Sequence, residues 1–156
     1  MTNRAASALR AAALVGATLL ASGCAVFSPV QTDEPYVPAD GVELSMTDLE
    51  IRNLALVSSA AGADALVVGQ AVNPATASVQ VQFAVAGGAA GATATVPANS
   101  GDTISDPAAK VTIPAVEAAP GQVVDLVVTT PGSGQNVVTV PVLLAAGQYA
   151  GLAIAK

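Results

Sequence analysis

Any chemistry in this chain must be built without histidine, because none is present. That removes Ser-His, Cys-His and histidine–metal arrangements at once. The one cysteine, Cys24, lies in LLASGCAVFSPV, Leu19 to Val30, and closes an apolar run near the N-terminus. A Ser-Lys pair would have to draw on Lys110, which opens a short apolar stretch, or on Lys156, the last residue. Both read as surface charges. Paired carboxylates do acid–base work when their surroundings push their pKa values apart. Asp102 and Asp106 flank a turn, and Glu43, Asp48 and Glu50 surround a break in the strand pattern. These read as turn chemistry and solvated faces. Asp33, Glu34 and Asp40 lack the spacing and glycine turn of a calcium loop. Gly87-Gly88 and Gly91 precede neither a lysine nor a helix, so they form no phosphate loop. Arg52-Asn53 is the one polar pair in an otherwise apolar run. It marks either a recognition surface or an ion pair between Arg52 and a neighbouring acid, and the ion pair is the expectation.

The position of Cys24 explains itself from the residues before it. Arg4 and Arg10 make a positive start, Ala11 to Leu20 an apolar stretch, and Ala21-Ser22-Gly23 a small-residue exit. That order is a secretory signal, and the apolar stretch falls short of the roughly 20 residues a membrane-spanning helix needs. The exit into Cys24 resembles the lipobox of bacterial lipoprotein precursors. The match covers Ala21, Ser22, Gly23 and Cys24 and departs at Ala21, where that family prefers a branched aliphatic residue. The resemblance implies a diacylglycerol on the Cys24 sulfur, cleavage between Gly23 and Cys24, and acylation (palmitate, for example) of the new amine. Ordinary cleavage after Gly23 is the alternative. It would leave an exposed thiol in an oxidising compartment with no second cysteine to pair with.

The charge agrees with an anchor of that kind. The chain has 156 residues and a formal charge of −6, which becomes −8 when Arg4 and Arg10 are removed with the leader. So acidic a domain repels nucleic-acid phosphate and anionic lipid headgroups. Two acyl chains need no basic patch, since each buried methylene contributes about 0.8 kcal/mol.

Residues 24–40 hold Pro29, Pro35 and Pro38 without a sustained period and read as a tether. A domain is expected over 41–156. Val42, Leu44 and Met46 alternate; the phase breaks at Thr47-Asp48, and LEIRNLALVSS follows as a strand. ALVVGQAVN returns and ends at Asn73-Pro74. Val79, Val81, Phe83 and Val85 give the cleanest period of two, with Gln80 and Gln82 facing out. A short strand is expected around Ala92 to Val96, a polar turn over Asn99 to Asp102, then strands in AKVTIPA, QVVDLVVTT and NVVTVPVLLAA. Pro141 puts the last at a sheet edge or a bulge, and Tyr149 belongs to a final packing segment. About seven short strands with turns between them predict an all-β, antiparallel two-sheet sandwich, immunoglobulin-like or cupredoxin-like, with no helix after the leader.

The order of IRNLALV, VGQAVN, PGQVVDLVV and VPVLLAAGQYA resembles the LpqE-like group of actinobacterial envelope lipoproteins, over most of residues 41–150. That group is related in fold to periplasmic copper chaperones of the PCuAC type, which hold Cu(I) with two histidines and two methionines. No such ligand carries over. The chain lacks histidine, Met46 alternates with core residues, and Cys24 would be alkylated. The expectation is therefore a lipid-anchored, non-catalytic module on the outer face of the cell membrane, with no cofactor beyond the lipid on Cys24. It would dock on a membrane protein complex, a respiratory one in view of the kinship. No nucleic acid or small-molecule substrate is expected. A divergent copper chaperone and a cell-envelope enzyme are the alternatives.

Overall fold

Strict alternation fixes the most regular strand of the domain. In β4 (Val79–Val85) Val81 and Phe83 are fully buried while Gln80 and Gln82 face solvent. β-Branched and aromatic residues at every second position suit a pleated sheet with one dry face. The computed structural model describes residues 7–8, 13, 39–88, 91–106 and 109–152. Gly23, Cys24 and nearly all of the leader and tether lie outside them. The chain divides into two units, Met1–Pro38 and Ala39–Lys156, and the second contains every strand.

The other strands are β1 (Val42–Ser45), β2 (Glu50–Ser58), β3 (Ala63–Asn73), β5 (Gly91–Val96), β6 (Ser100–Thr103), β7 (Thr112–Val116), β8 (Val123–Thr130) and β9 (Gly134–Leu144). The architecture is all-β and cupredoxin- or immunoglobulin-like, with the sheet nearly closed into a barrel. One layer runs β5-β4-β8-β9, all antiparallel. The other is built on β2 and β3, each of which shares its outer edge between two partners. β1 and then β9 flank β2; β7 and then β6 flank β3. β9 belongs to both layers. Its residues up to Pro141 pair with β8, and Val142, Leu143 and Leu144 pair with β2 in parallel. Pro141 has no N–H to give, so it falls where the ladder changes partner.

The described domain has nine strands rather than about seven, and one ladder is parallel. The stretch Asn99–Asp102 is not wholly a turn. Asn99 turns at φ 49, and Ser100 to Thr103 form the short edge strand β6 against Gln70–Asn73. Its polarity suits an edge, which the expectation of a turn did not weigh. The last described residues form a short 3-10 helix, Gly147–Leu152, where no helix was expected.

The core lies between the layers, where Ile51, Leu54, Leu56, Val67, Phe83 and Leu126 are fully buried. A second cluster sits on the outer side of β2 and β3. There Ala55, Val57, Leu66 and Val68 are covered by Leu143, Ala145, Tyr149 and Leu152. The terminal segment is thus a lid over an apolar sheet face that would otherwise meet water.

Candidate functional site

The Arg52-Asn53 pair is a structural device. Arg52 Nε donates to Glu50 Oε1 at 2.7 Å, and this exposed ion pair raises the guanidinium pKa. Asn53 sits at φ 54, in the left-handed region that Asn tolerates better than most side chains. Residues 53 and 54 of β2 face the single residue Gly69 of β3, a β-bulge. The bulge moves the inward positions from Leu49 and Ile51 to Leu54 and Leu56, so all four reach one core. Asn53 Oδ1 also accepts the Gly41 N–H at 2.6 Å.

The carboxylates are dispersed and engaged. Asp48 accepts from Thr130 Oγ1 at 2.8 Å, Ser133 Oγ at 2.6 Å and the Gly132 N–H at 2.9 Å. A Cβ on residue 132 would stand 2.6 Å from Asp48 Oδ2, so glycine lets the carboxylate approach. Partial burial pushes the Asp48 pKa up, but the hydrogen bonds from Ser133, Thr130 and Gly132 outweigh it and hold the carboxyl below its ordinary value. Asp40, read from sequence as the end of a tether, accepts from Gln148 Nε2 at 2.6 Å and from the Tyr149 hydroxyl at 2.9 Å. Asp125 accepts from Thr139 Oγ1 at 2.6 Å, and Asp106 from the Ala109 N–H at 2.6 Å. Among the described residues no three His, Cys, Asp or Glu side chains are grouped to hold a metal ion. Met46 is half-buried against the main core, so its thioether does not form part of an open soft-metal site. The donor set does not fit Cu(I), which wants thioether and imidazole.

Two concavities are lined wholly by described residues. One, of about 470 Å³, is lined by Val85, Ile113, Val116, Glu117 and Val124 among others. The other, of about 290 Å³, is a shallow groove on the outer face of the β5-β4-β8-β9 layer. The register explains the second. Thr93, Gln82, Thr129 and Gln135 stand opposite one another on consecutive strands, and Thr95 stands opposite Gln80. Alongside, Ala84, Val127 and Val137 form an apolar rank, with Val137 and Val123 each 64% exposed. The chain carries no charged side chain from Ala65 to Gly101, so β4 and β5 contribute none to this face, and Asp125 is the one charge from β8. Hydroxyls, amides and small aliphatics can hydrogen-bond and exclude water but cannot move a proton at neutral pH. This neutral face is the candidate binding surface. Its signal, a long charge-free interval in an acidic chain, is visible in the sequence once the outward positions are aligned.

The chain matches no protein-family model and no curated protein sequence. It is similar in structure to the apo PmoF2 PCuAC domain, with a TM-score of 0.51 and 15% identity over 68% of this chain and 98% of that one. It is also similar to the apo PCuAC domain from PmoF1, with a TM-score of 0.50 and 15% identity over 65% of this chain and 98% of that one. At that identity the likeness establishes a shared fold.

Proposed function

We propose that this chain is a lipid-anchored, extracytoplasmic accessory module of the LpqE-like kind, which works by docking on a membrane protein complex and carries out no catalysis. The observation that supports this most is the pairing of a copper-chaperone fold with a ligand set that cannot take Cu(I). The chain shares that fold, it has no histidine, and a neutral sheet face offers contact instead of chemistry. Gly23-Cys24 supplies the anchor in this reading, and the acidic domain needs one that does not depend on basic residues. Kinship with chaperone domains makes a respiratory complex the first partner to test.

The test has two arms. Intact-mass analysis of protein made in an actinobacterial host should show a diacylglyceryl Cys24 and partition into the detergent phase; an unmodified sulfur in the aqueous phase ends the anchor reading. Crosslinking in intact membranes should capture one membrane complex in constant proportion. Recovery of uncrosslinked chain alone ends the docking reading.

The structural likeness favours one second reading, a metal carrier whose ligands have changed to carboxylates. Equilibrium dialysis with Cu(I), Cu(II), Zn(II) and Ca(II) separates the two. Binding at micromolar metal supports the carrier, and its absence leaves the accessory module.

A further inference from the structure

An irregularity in β7 shapes the larger of the two concavities. Ile113 and Val116 are three residues apart, so in an unbroken strand they would point to opposite faces. Residues 114 and 115 together stand against the single residue Asp64 of β3, a β-bulge, and Ile113 and Val116 both turn into the main core. Ala115 pays for this with a left-handed backbone, φ 51, which alanine rarely adopts. The position is held from outside. Asp64 Oδ1 accepts the Ala115 N–H at 3.2 Å, and Val116 O accepts the Gly62 N–H at 2.7 Å. Strain held in place by its surroundings recurs where ligands are gripped.

The facing wall comes from the other layer. Val85 closes β4 and Val124 lies near the start of β8. Both pack against the main core, yet they are only half-buried, while Val81, Phe83 and Leu126 beside them are fully buried. The remaining lining is small or lacks a side chain, as at Gly87, Gly88 and Ala118. Two aliphatic walls therefore enclose about 470 Å³ that no side chain fills. A dry apolar cavity of about 150 Å³ already accepts benzene, and pockets for small molecules run from about 300 to 1,000 Å³.

The lining also selects a head group. Glu117 is its one charged residue and is exposed. Every other lining side chain is aliphatic or absent, so the side chains offer an acceptor and no donor. A carboxylate head would meet like charge with nothing to donate to it. An ammonium head supplies both the donors and the opposite charge. An apolar body with such a head fits the two walls and Glu117 together.

We infer that this cavity binds a small aliphatic amine, its alkyl chain between β7 and the Val85–Val124 wall and its ammonium group donating to Glu117. This goes beyond the accessory role and holds whether or not Cys24 carries lipid.

The test uses the full chain with Cys24→Ser, which takes no lipid and is handled without alkyl detergent. The probes are n-octylamine, n-octanol and n-octanoate at pH 7, followed by the methyl NMR signals of the chain. Millimolar octylamine should shift the methyls of Val85, Ile113, Val116 and Val124, with octanol weaker and octanoate weakest. Glu117→Gln lies on an exposed side chain and should weaken octylamine about two- to fivefold, as an exposed charge pair does, while leaving octanol unchanged. Glu117→Lys should reverse the order of amine and acid. Val124→Phe and Ala118→Leu fill the space and should abolish binding of all three, with melting as the check on folding. Silent methyls at those four positions overturn the inference. So does an amine affinity that Glu117→Gln leaves unchanged, or binding that survives in a folded, filled variant. Vesicles of phosphatidylethanolamine should not displace octylamine; displacement would assign the space to a bilayer lipid and overturn the inference as well.

Discussion

The two layers reach the same end by different means. In the β5-β4-β8-β9 layer the pairing runs without a register shift, and no residue of β4, β5 or β8 has a left-handed backbone apart from the glycines beside them. Alternation of apolar and polar side chains is enough to set that layer. In the β2–β3 layer the register shifts against β1, within the β2–β3 ladder and against β7. There polar side chains do the fixing: Asn53 at the bulge, Asp48 at the turn and Asn73 at the end of β3. A sheet that pattern alone can specify is free to present a flat outer face. A sheet that bends around the core needs local hydrogen bonds and glycines to hold its shape.

If that contrast is right, the regular layer depends mainly on packing. Phe83 is fully buried among Val81, Leu126 and the residues of the facing sheet. Phe83→Ala should cost about 3–5 kcal/mol, the usual range for a core aromatic cut to a methyl. Chemical denaturation of the full chain measures it. A cost under about 1 kcal/mol would mean that alternation does not set this layer.

The irregular layer should be most sensitive at a polar residue instead. Asn73 is 1% exposed. Its amide donates to Pro97 O at 2.8 Å, Ala77 O at 2.9 Å and Val96 O at 3.2 Å, and its Oδ1 accepts the Ala75 N–H at 2.9 Å. One side chain thus ties the end of β3 to the start of β4 and the end of β5. Asn73→Leu keeps the volume and leaves these backbone groups unpaired, so it should cost about 2–3 kcal/mol. Protection of the Ala75 and Asn99 amides from hydrogen exchange should fall with it. Unchanged protection would show that the loop holds itself.

The same division decides what the sequence made legible. β4 could be read position by position because Val79, Val81 and Phe83 alternate with glutamines. Pro141 suggested an edge or a bulge, whereas β9 lies between β8 and β2 and Pro141 stands in unbroken register with Val123, just before β9 passes from β8 to β2. β6 was missed because SGDT has no apolar alternation; a short outer strand is held by its neighbour's backbone, which one sequence does not display. The break at Thr47-Asp48 was visible, but its partners Thr130, Gly132 and Ser133 lie more than eighty residues away along the chain. The bulge at Asn53 showed itself as a polar pair and admitted a surface reading until the register was known. The terminal lid was foreseen at Tyr149, while its bond to Asp40 joins the two ends of the domain and leaves no local trace. The neutral face needed only aligned strands to appear.

Asp48→Asn asks whether the turn is held by charge. The variant must place an amide N–H₂ toward donors that the carboxylate satisfies, so a loss of about 1–2 kcal/mol is expected at neutral pH. The folded pKa lies below the ordinary Asp value of about 3.9. A depressed carboxylate contributes fully above its unfolded pKa and loses that contribution as pH falls through the folded one. The wild type and variant should therefore differ at pH 6 and draw together below about pH 4. Denaturation midpoints along an acid series read this, and a constant gap would remove the ionised carboxylate from the account.

Tyr149→Phe carries the smallest effect and separates the two ways in which the lid is held. The ring packs over Ala55, Val57, Leu66 and Val68, which phenylalanine retains, while the hydroxyl bond to Asp40 is lost. A cost of about 0.5–1 kcal/mol is expected, because the bond is solvent-exposed. Burial, and then the hydrogen bond and charge of Asp40, raise the Tyr149 pKa above its ordinary value of 10.0. A raised group contributes fully below its unfolded pKa and loses the contribution as pH rises through the folded one. The two proteins should therefore differ at pH 8 and converge above about pH 10. If the two proteins do not differ even at pH 8, the lid is held by packing alone, and the outer face of the β2–β3 layer obeys the same rule as the regular one.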